Sequence, residues 1–258
     1  MDDRDDRRGV RETLRWLWTT DHGVVLYVRE VATSVASVLA LGLLLFAISG
    51  VWPPMVAVES SSMYPHMQTG DLIFVMEEHR LSPEFAVAET GVVTYQVGEN
   101  QGYTKFKEPG DVIIYTRNDR AGTTPIIHRA MLWVEEGENW YDRANPAYLG
   151  SANNCDQLRY CPAPHAGFIT KGDNAQTNPQ YDQVNGLSAP VKPSWVVGTA
   201  EARIPGLGFV KLCSSGGPCP LFIATGPPAP PAVMEAAAAP QAEPTVTATN
   251  TTNATAAV

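Results

Sequence analysis

Three consecutive serines, Ser60-Ser61-Ser62, a histidine that closes an apolar run, His128, and two later aspartates, Asp173 and Asp182, could supply a nucleophile, a general base and a carboxylate. A serine hydroxyl attacks a carbonyl only when a base removes its proton. Imidazole does this near neutral pH, and a carboxylate can hold the imidazole in the required orientation. Residue type alone leaves each role open, because serines are common in loops and a hydrogen-bonded structural histidine is an ordinary feature. Of the five histidines, His22 precedes a long apolar segment, His66 follows close behind the serines as a candidate local neighbour, and His79 and His165 fall in polar stretches. Only His128 ends an apolar run, Ile126-Ile127, where a strand would fix its position.

The elements that must position these residues begin with a membrane anchor. No charged residue occurs between Glu30 and Glu59. Residues 31–52 are a continuous apolar stretch that would span about 33 Å as a helix, enough to cross a bilayer. Arg11, Arg15 and Arg29 precede it and no Lys or Arg follows until Arg80, which places residues 1–30 in the cytoplasm and the rest of the chain outside. Residues 1–30 lack the small-residue cleavage site of a secretory leader, and Trp16 and Trp18 suit an interfacial stretch. Pro53 and Pro54 end the helix, so the serines emerge at the outer membrane surface.

Residues 53–212 read as a mostly β domain. Short apolar runs are separated by Gly, Pro, Asn and Asp: Leu72-Ile73-Phe74-Val75 after Gly70-Asp71, Val92-Val93-Thr94-Tyr95, Val112-Ile113-Ile114-Tyr115 after Gly110-Asp111, Met131-Leu132-Trp133-Val134, and Trp195-Val196-Val197. Residues 143–165, rich in Asn, Ala and Pro, read as a surface insertion. Residues 213–258 read as a Pro/Ala/Thr-rich disordered tail, with two glycosylation sequons at Asn250 and Asn253. The four cysteines form two local pairs, Cys155 with Cys161 and Cys213 with Cys219. Outside the membrane they are disulfide candidates, and their spacing does not suit a zinc site. A net charge of -9 without a basic stripe beyond the N-terminus argues against a nucleic-acid partner.

Four stretches together resemble the conserved boxes of type I signal peptidases: Ser60-Ser61-Ser62-Met63-Tyr64-Pro65, Gly110-Asp111-Val112-Ile113, Ile127-His128-Arg129 and Thr170-Lys171-Gly172-Asp173-Asn174. Histidine before Arg129, where bacterial members carry lysine, resembles the archaeal and endoplasmic-reticulum branch, which uses Ser and His. The resemblance implies a signal-peptidase-like β catalytic domain behind one N-terminal transmembrane helix. It implies Ser62 as nucleophile, with Ser60 and Ser61 as rivals, His128 as general base, and the Ser60 hydroxyl as an oxyanion donor. Asp173 matches the aspartate of the last box, and Asp182 is expected to orient His128, although the spacing between them is longer than the pattern and leaves their roles exchangeable. Lys171 is expected to be structural. The implied reaction is removal of signal peptides from secretory preproteins after small residues, with no metal or cofactor, at a lipid bilayer and beside the protein-secretion channel. Met55, Val56, Met63, Tyr64 and Met67 are expected to form an apolar surface against the bilayer. The competing reading is a membrane-anchored surface glycoprotein with a non-catalytic β-rich binding domain.

Overall fold

The computed structural model describes residues 18–19, 23–87, 89–119, 122–216 and 219. The expectations for His22, for Trp16 and for the tail from residue 221 with its sequons lie outside these residues.

Helix α1, Gly23–Ser49, has 27 residues, is long and apolar enough to cross a membrane, and exposes Val28, Leu39, Leu43 and Leu44. Its bounds differ from the 31–52 expected. It takes in Arg29 and Glu30 at one end, and it stops at Ser49, short of Trp52, because Gly50 adopts a left-handed φ of +80°. The carbonyls freed at this end are satisfied by the β domain. Arg80 Nη1 donates to the carbonyls of Ala47 (2.6 Å) and Ile48 (2.9 Å), and the Glu77 N–H donates to Ser49 O (2.9 Å). The helix is therefore tied to the domain by hydrogen bonds as well as by the chain.

Among the described residues eight strands follow: β1 (Met55–Ala57), β2 (Leu72–Met76), β3 (Thr104–Lys105), β4 (Glu108–Pro109), β5 (Val112–Tyr115), β6 (Ile126–Val134), β7 (Gly167–Lys171) and β8 (Val196–Ile204). Six of them form one antiparallel sheet in the order β1-β2-β8-β5-β6-β7, and β3 and β4 form a small hairpin. The mostly β architecture with one N-terminal apolar helix is the one expected. All four residues of β5 are buried. Side chains alternate across a strand, and accordingly Val112 and Ile114 join a core with Met63, Met67, Ile73 and Val75, while Ile113 and Tyr115 join a second core with Ala130, Phe168 and Val191. The continuous apolar run of β5 is thus explained by a sheet covered on both faces.

Several local readings are corrected. Val92 and Val93 are buried but not in a strand, and Thr94 instead caps helix α2, Tyr95–Gln101, its hydroxyl accepting from the Val97 N–H. Trp195 lies in a 3-10 turn, and the strand starts at Val196. The insertion 143–165 is not confined to the surface: Ala144, Leu149, Leu158 and Ala163 are buried in a core with Trp140, Leu132 and Tyr181. Folded chain also continues past residue 212. Helix α3, Phe209–Ser214, buries Leu212, and Cys213 is disulfide-bonded to Cys219. Composition missed this because a short helix and a six-residue disulfide loop leave little apolar periodicity.

The turn that delivers β5 depends on two glycines. A Cβ on Gly98 would lie 2.4 Å from the Gly110 backbone nitrogen, and a Cβ on Gly110, at φ +76°, would lie 2.6 Å from the Thr94 carbonyl carbon. Within this turn Asp111 Oδ2 accepts from the Val93 N–H (2.8 Å) and Oδ1 from the Tyr103 hydroxyl (2.8 Å). Burial pushes the Asp111 carboxyl above its ordinary pKa. Helix propensity alone favours Gly98→Ala by about 1 kcal/mol. Backbone contact reverses the sign: Gly98→Ala is expected to destabilise the detergent-solubilised protein by about 1–3 kcal/mol in denaturant unfolding, and a stabilised variant would contradict this packing.

Candidate active site

The serines sit in the loop between β1 and β2. Its ends are joined by Val58 N–H to Asp71 O and Gly70 N–H to Val58 O, both 2.9 Å. Asp71 closes the turn from within, Oδ2 accepting from the Gln68 N–H (2.7 Å) and Arg203 Nη1 (3.2 Å). The ring of Phe209 covers Gly70, where a Cβ would lie 2.1 Å from Cε2. Met63 and Met67 anchor the loop by complete burial in the core. This corrects the expectation that they face the bilayer: of that set only Tyr64 is exposed, and Met55 and Val56 are half-buried.

The segment after β7 grips the same loop. The Asn174 N–H donates to Ser62 O (2.8 Å), and Asn174 Nδ2 donates to Ser61 O (2.9 Å). Asn174 Oδ1 in turn accepts from the Gln176 N–H (2.9 Å), which fixes its amide. Gly172 permits the approach: a Cβ there would lie 2.6 Å from Ser62 O and 3.0 Å from His128 Nε2. The Ser62 carbonyl and the far nitrogen of His128 therefore both lie against one glycine.

His128 is held from behind. It pairs with Ile113 of β5 in the sheet register and is buried. Its Nδ1 lies 2.7 Å from Asp182 Oδ2. The same oxygen accepts from the Thr170 hydroxyl (2.6 Å) and the Tyr115 hydroxyl (3.1 Å). Burial first, and then the Asp182 charge, push the Tyr115 phenol well above its ordinary pKa, so it remains a donor. The carboxylate at Nδ1 orients the imidazole so that Nε2 faces the serine loop. Asp182 Oδ1 is buried and has no hydrogen-bond partner among the described residues.

A cleft of about 370 Å³ opens over these groups. Ser60, Ser62 and His128 line it, with apolar walls that include Ala57, Val58, Ile126 and Ile127. Ser60 Oγ and Ser62 Oγ are 3.2 Å apart and hydrogen-bonded. Ser61 is not among the residues lining the cleft, and its carbonyl is taken by Asn174.

Asp173 lies in a different network. Its two oxygens accept from Arg129 Nε (2.9 Å) and Nη2 (2.6 Å), and Oδ2 also lies 2.9 Å from His66 Nδ1. Arg129 Nη1 donates to the carbonyls of Lys105 (3.1 Å) and Gly110 (2.9 Å), so this buried guanidinium ties the β3–β4 hairpin to the segment that follows β7. Arg129 and Lys171 are direct cross-strand partners and share a face of the sheet. Lys171 Nζ donates to Gly172 O (2.8 Å) and sits 4.7 Å over the Tyr148 ring. Burial pushes the Lys171 amine down, against the opposing pull of Asp173 and Asp182. Both residues line a pocket on the side away from the His128 cleft. The structure thus brings Ser60, Ser62, His128 and Asp182 together and sets Asp173, Lys171 and His66 apart. Sequence reasoning gave no role to Asn174, Gly172, Thr170 or Tyr115. All but Tyr115 lie in the last box, and Tyr115 ends the β5 run that pairs with the strand of His128. Cys155 is disulfide-bonded to Cys161 in the insertion.

No protein-family model matches the chain. It is similar to catalytic subunits of the signal peptidase complex from fungi. It is 26% identical over 165 residues to SEC11 of Paracoccidioides lutzii, covering 64% of this chain and 68% of the fungal protein. It is 25% identical over 197 residues to the corresponding subunit of Aspergillus oryzae, covering 72% and 83% respectively. The similarity relates the chain to signal peptidase catalytic subunits and supports a membrane-anchored protease.

Because Asp173 neutralises a buried arginine, Asp173→Ala is expected to cost about 3–5 kcal/mol of stability, read from the denaturant midpoint of the purified protein. A loss below about 1 kcal/mol, the range of exposed pairs, would contradict this assignment.

Proposed function

We propose that the chain is a single-pass membrane serine endopeptidase that removes signal peptides from secretory preproteins. The observation that carries this reading is that Ser62 and His128 line one cleft, with the Ser62 carbonyl and His128 Nε2 both close to Gly172 and Asp182 on the other nitrogen of the ring. The similarity to signal peptidase catalytic subunits supports the substrate class.

In this mechanism His128 Nε2 takes the proton from Ser62 Oγ as that oxygen attacks the scissile carbonyl. Asp182 stabilises the imidazolium that forms. The tetrahedral oxyanion is met by the Ser62 N–H and the Ser60 hydroxyl, which already stands 3.2 Å from the nucleophile. His128 then donates its proton to the leaving amine, the acyl-enzyme forms, and a water activated by the same base hydrolyses it. The clamp of Asn174 on the Ser61 and Ser62 carbonyls fixes the loop and so keeps the nucleophile aimed. The apolar walls and modest size of the cleft suit small side chains before the cut. Helix α1 spans the cell membrane with its N-terminus in the cytoplasm, following the arginines that precede it. The serine loop follows the helix end closely and lies at the outer surface, where a preprotein's own apolar segment ends. The Ser-His pairing supports reading the chain as one of the archaeal and endoplasmic-reticulum branch.

Cleavage of a model preprotein in detergent tests this. Ser62→Ala and His128→Ala are expected to abolish cutting while expression and folding persist, Asp182→Asn to lower kcat by about 10³–10⁴, and Ser60→Ala by about 10²–10³. Full activity of either Ser62→Ala or His128→Ala would overturn the assignment.

A further inference from the structure

The nine-residue step from Asp173 to Asp182 is long for the pattern the chain resembles, and the extra chain packs on the disulfide-closed insertion. Tyr181, immediately before Asp182, is buried. Its ring stands edge-on to Trp140 at 6.2 Å and to Tyr148 at 5.4 Å. Its N–H donates to Tyr148 O (3.2 Å), and its hydroxyl accepts from the Asn145 N–H (3.0 Å). Trp140 Nε1 donates to the carbonyl of Tyr160 (2.8 Å), the residue beside Cys161 of the Cys155–Cys161 disulfide. Gly150 of the insertion lies against Gln180, where a Cβ would meet Nε2 at 2.1 Å.

On its other side the Asp182 segment is held by β7. The Asp182 N–H donates to Thr170 O (2.9 Å), and Gln183 Oε1 accepts from the Thr170 N–H (3.0 Å). Asp182 is therefore gripped between a sheet strand and the insertion. These backbone bonds fix the height of the segment on the strand, and its rotation decides whether Oδ2 meets His128 Nδ1 together with the Thr170 and Tyr115 hydroxyls. The Tyr181 ring, with a hydrogen bond at both its backbone and its tip, resists that rotation.

We propose that the connection between β6 and β7, which carries Trp140 and the insertion 143–165 with its Cys155–Cys161 disulfide, is a positioning element for Asp182, with Tyr181 as the positioning residue. The inference rests on the reading of Asp182 as the carboxylate that orients His128. The insertion touches no substrate. It fixes the carboxylate, and so governs the turnover rate rather than binding in the cleft. The tyrosine immediately before the buried Asp182 carboxylate, with the aromatic cluster around it, is then part of the site rather than incidental core.

The experiment compares wild type, Tyr181→Leu, Tyr181→Phe and Cys155→Ser/Cys161→Ser as full chains in detergent. Two readouts are taken: the downfield proton resonance of His128 Nδ1–H, and kcat and KM on a model preprotein. Tyr181→Leu and the double serine variant are expected to broaden or abolish the resonance and to lower kcat about tenfold, with KM changed less than about twofold. Tyr181→Phe, which keeps the ring, is expected to restore most of both. A Tyr181→Leu or double serine protein that is less heat-stable but keeps the wild-type resonance would overturn the proposal and reduce the insertion to core packing. If wild type does not cleave preprotein, the functional reading fails, and the resonance still decides whether the insertion positions Asp182 against His128. If Tyr181→Leu does not fold, the double serine variant carries the same comparison.

Discussion

The buried contact between Asp182 Oδ2 and His128 Nδ1, 2.7 Å long, is the interaction on which the rest of the domain is organised. A carboxylate this deeply buried is tolerated only when hydrogen bonds replace the water it has lost. Three donors from three elements do so: His128 on β6, Thr170 on β7 and Tyr115 on β5. Each must be in register for Oδ2 to be satisfied, so the pairing of β5, β6 and β7 and the position of the imidazole are one constraint. The outcome is a fixed imidazole with Nε2 turned toward the serine loop.

The opposite face of the same strands is organised by a second buried charge. Arg129, the neighbour of His128 in β6, points the other way and is neutralised by Asp173 while it gathers carbonyls from the β3–β4 hairpin. Alternation along one strand thus separates a chemical face from a structural face. This division accounts for two aspartates of similar sequence context having different partners, and for Lys171 lying with Arg129 rather than with the serines.

Much of this was legible in the sequence. The anchor, the mostly β class and the strands at Leu72, Val112 and Ile126 follow from apolar runs and Gly-Asp turns, because burial and turn chemistry act locally. Ser62 and His128 could be named from the boxes, and Asp182 as the later aspartate beyond the last of them, in a role exchangeable with Asp173; the structure groups Ser62, His128 and Asp182. Other features were not legible. Val92-Val93 looks like a strand because its burial comes from tertiary packing against the Gly110-Asp111 turn, and the helix after Thr94 depends on the Gly98 contact with Gly110. Met63 and Met67 resemble a membrane-facing pair but are core, since nothing local reveals that the serine loop folds back over β2. Tyr115 and Asn174 act through partners far away in the chain, and single-sequence spacing carries no record of such pairs.

The most direct test of the central claim is to identify the residue acylated during the reaction. The full-length protein would be incubated in detergent with a serine-acylating peptide bearing alanine before its electrophile, and the adduct located by peptide mass spectrometry. The account predicts a single adduct on Ser62 that is absent from His128→Ala protein. An adduct on Ser60 or Ser61, or undiminished labelling without His128, would contradict it.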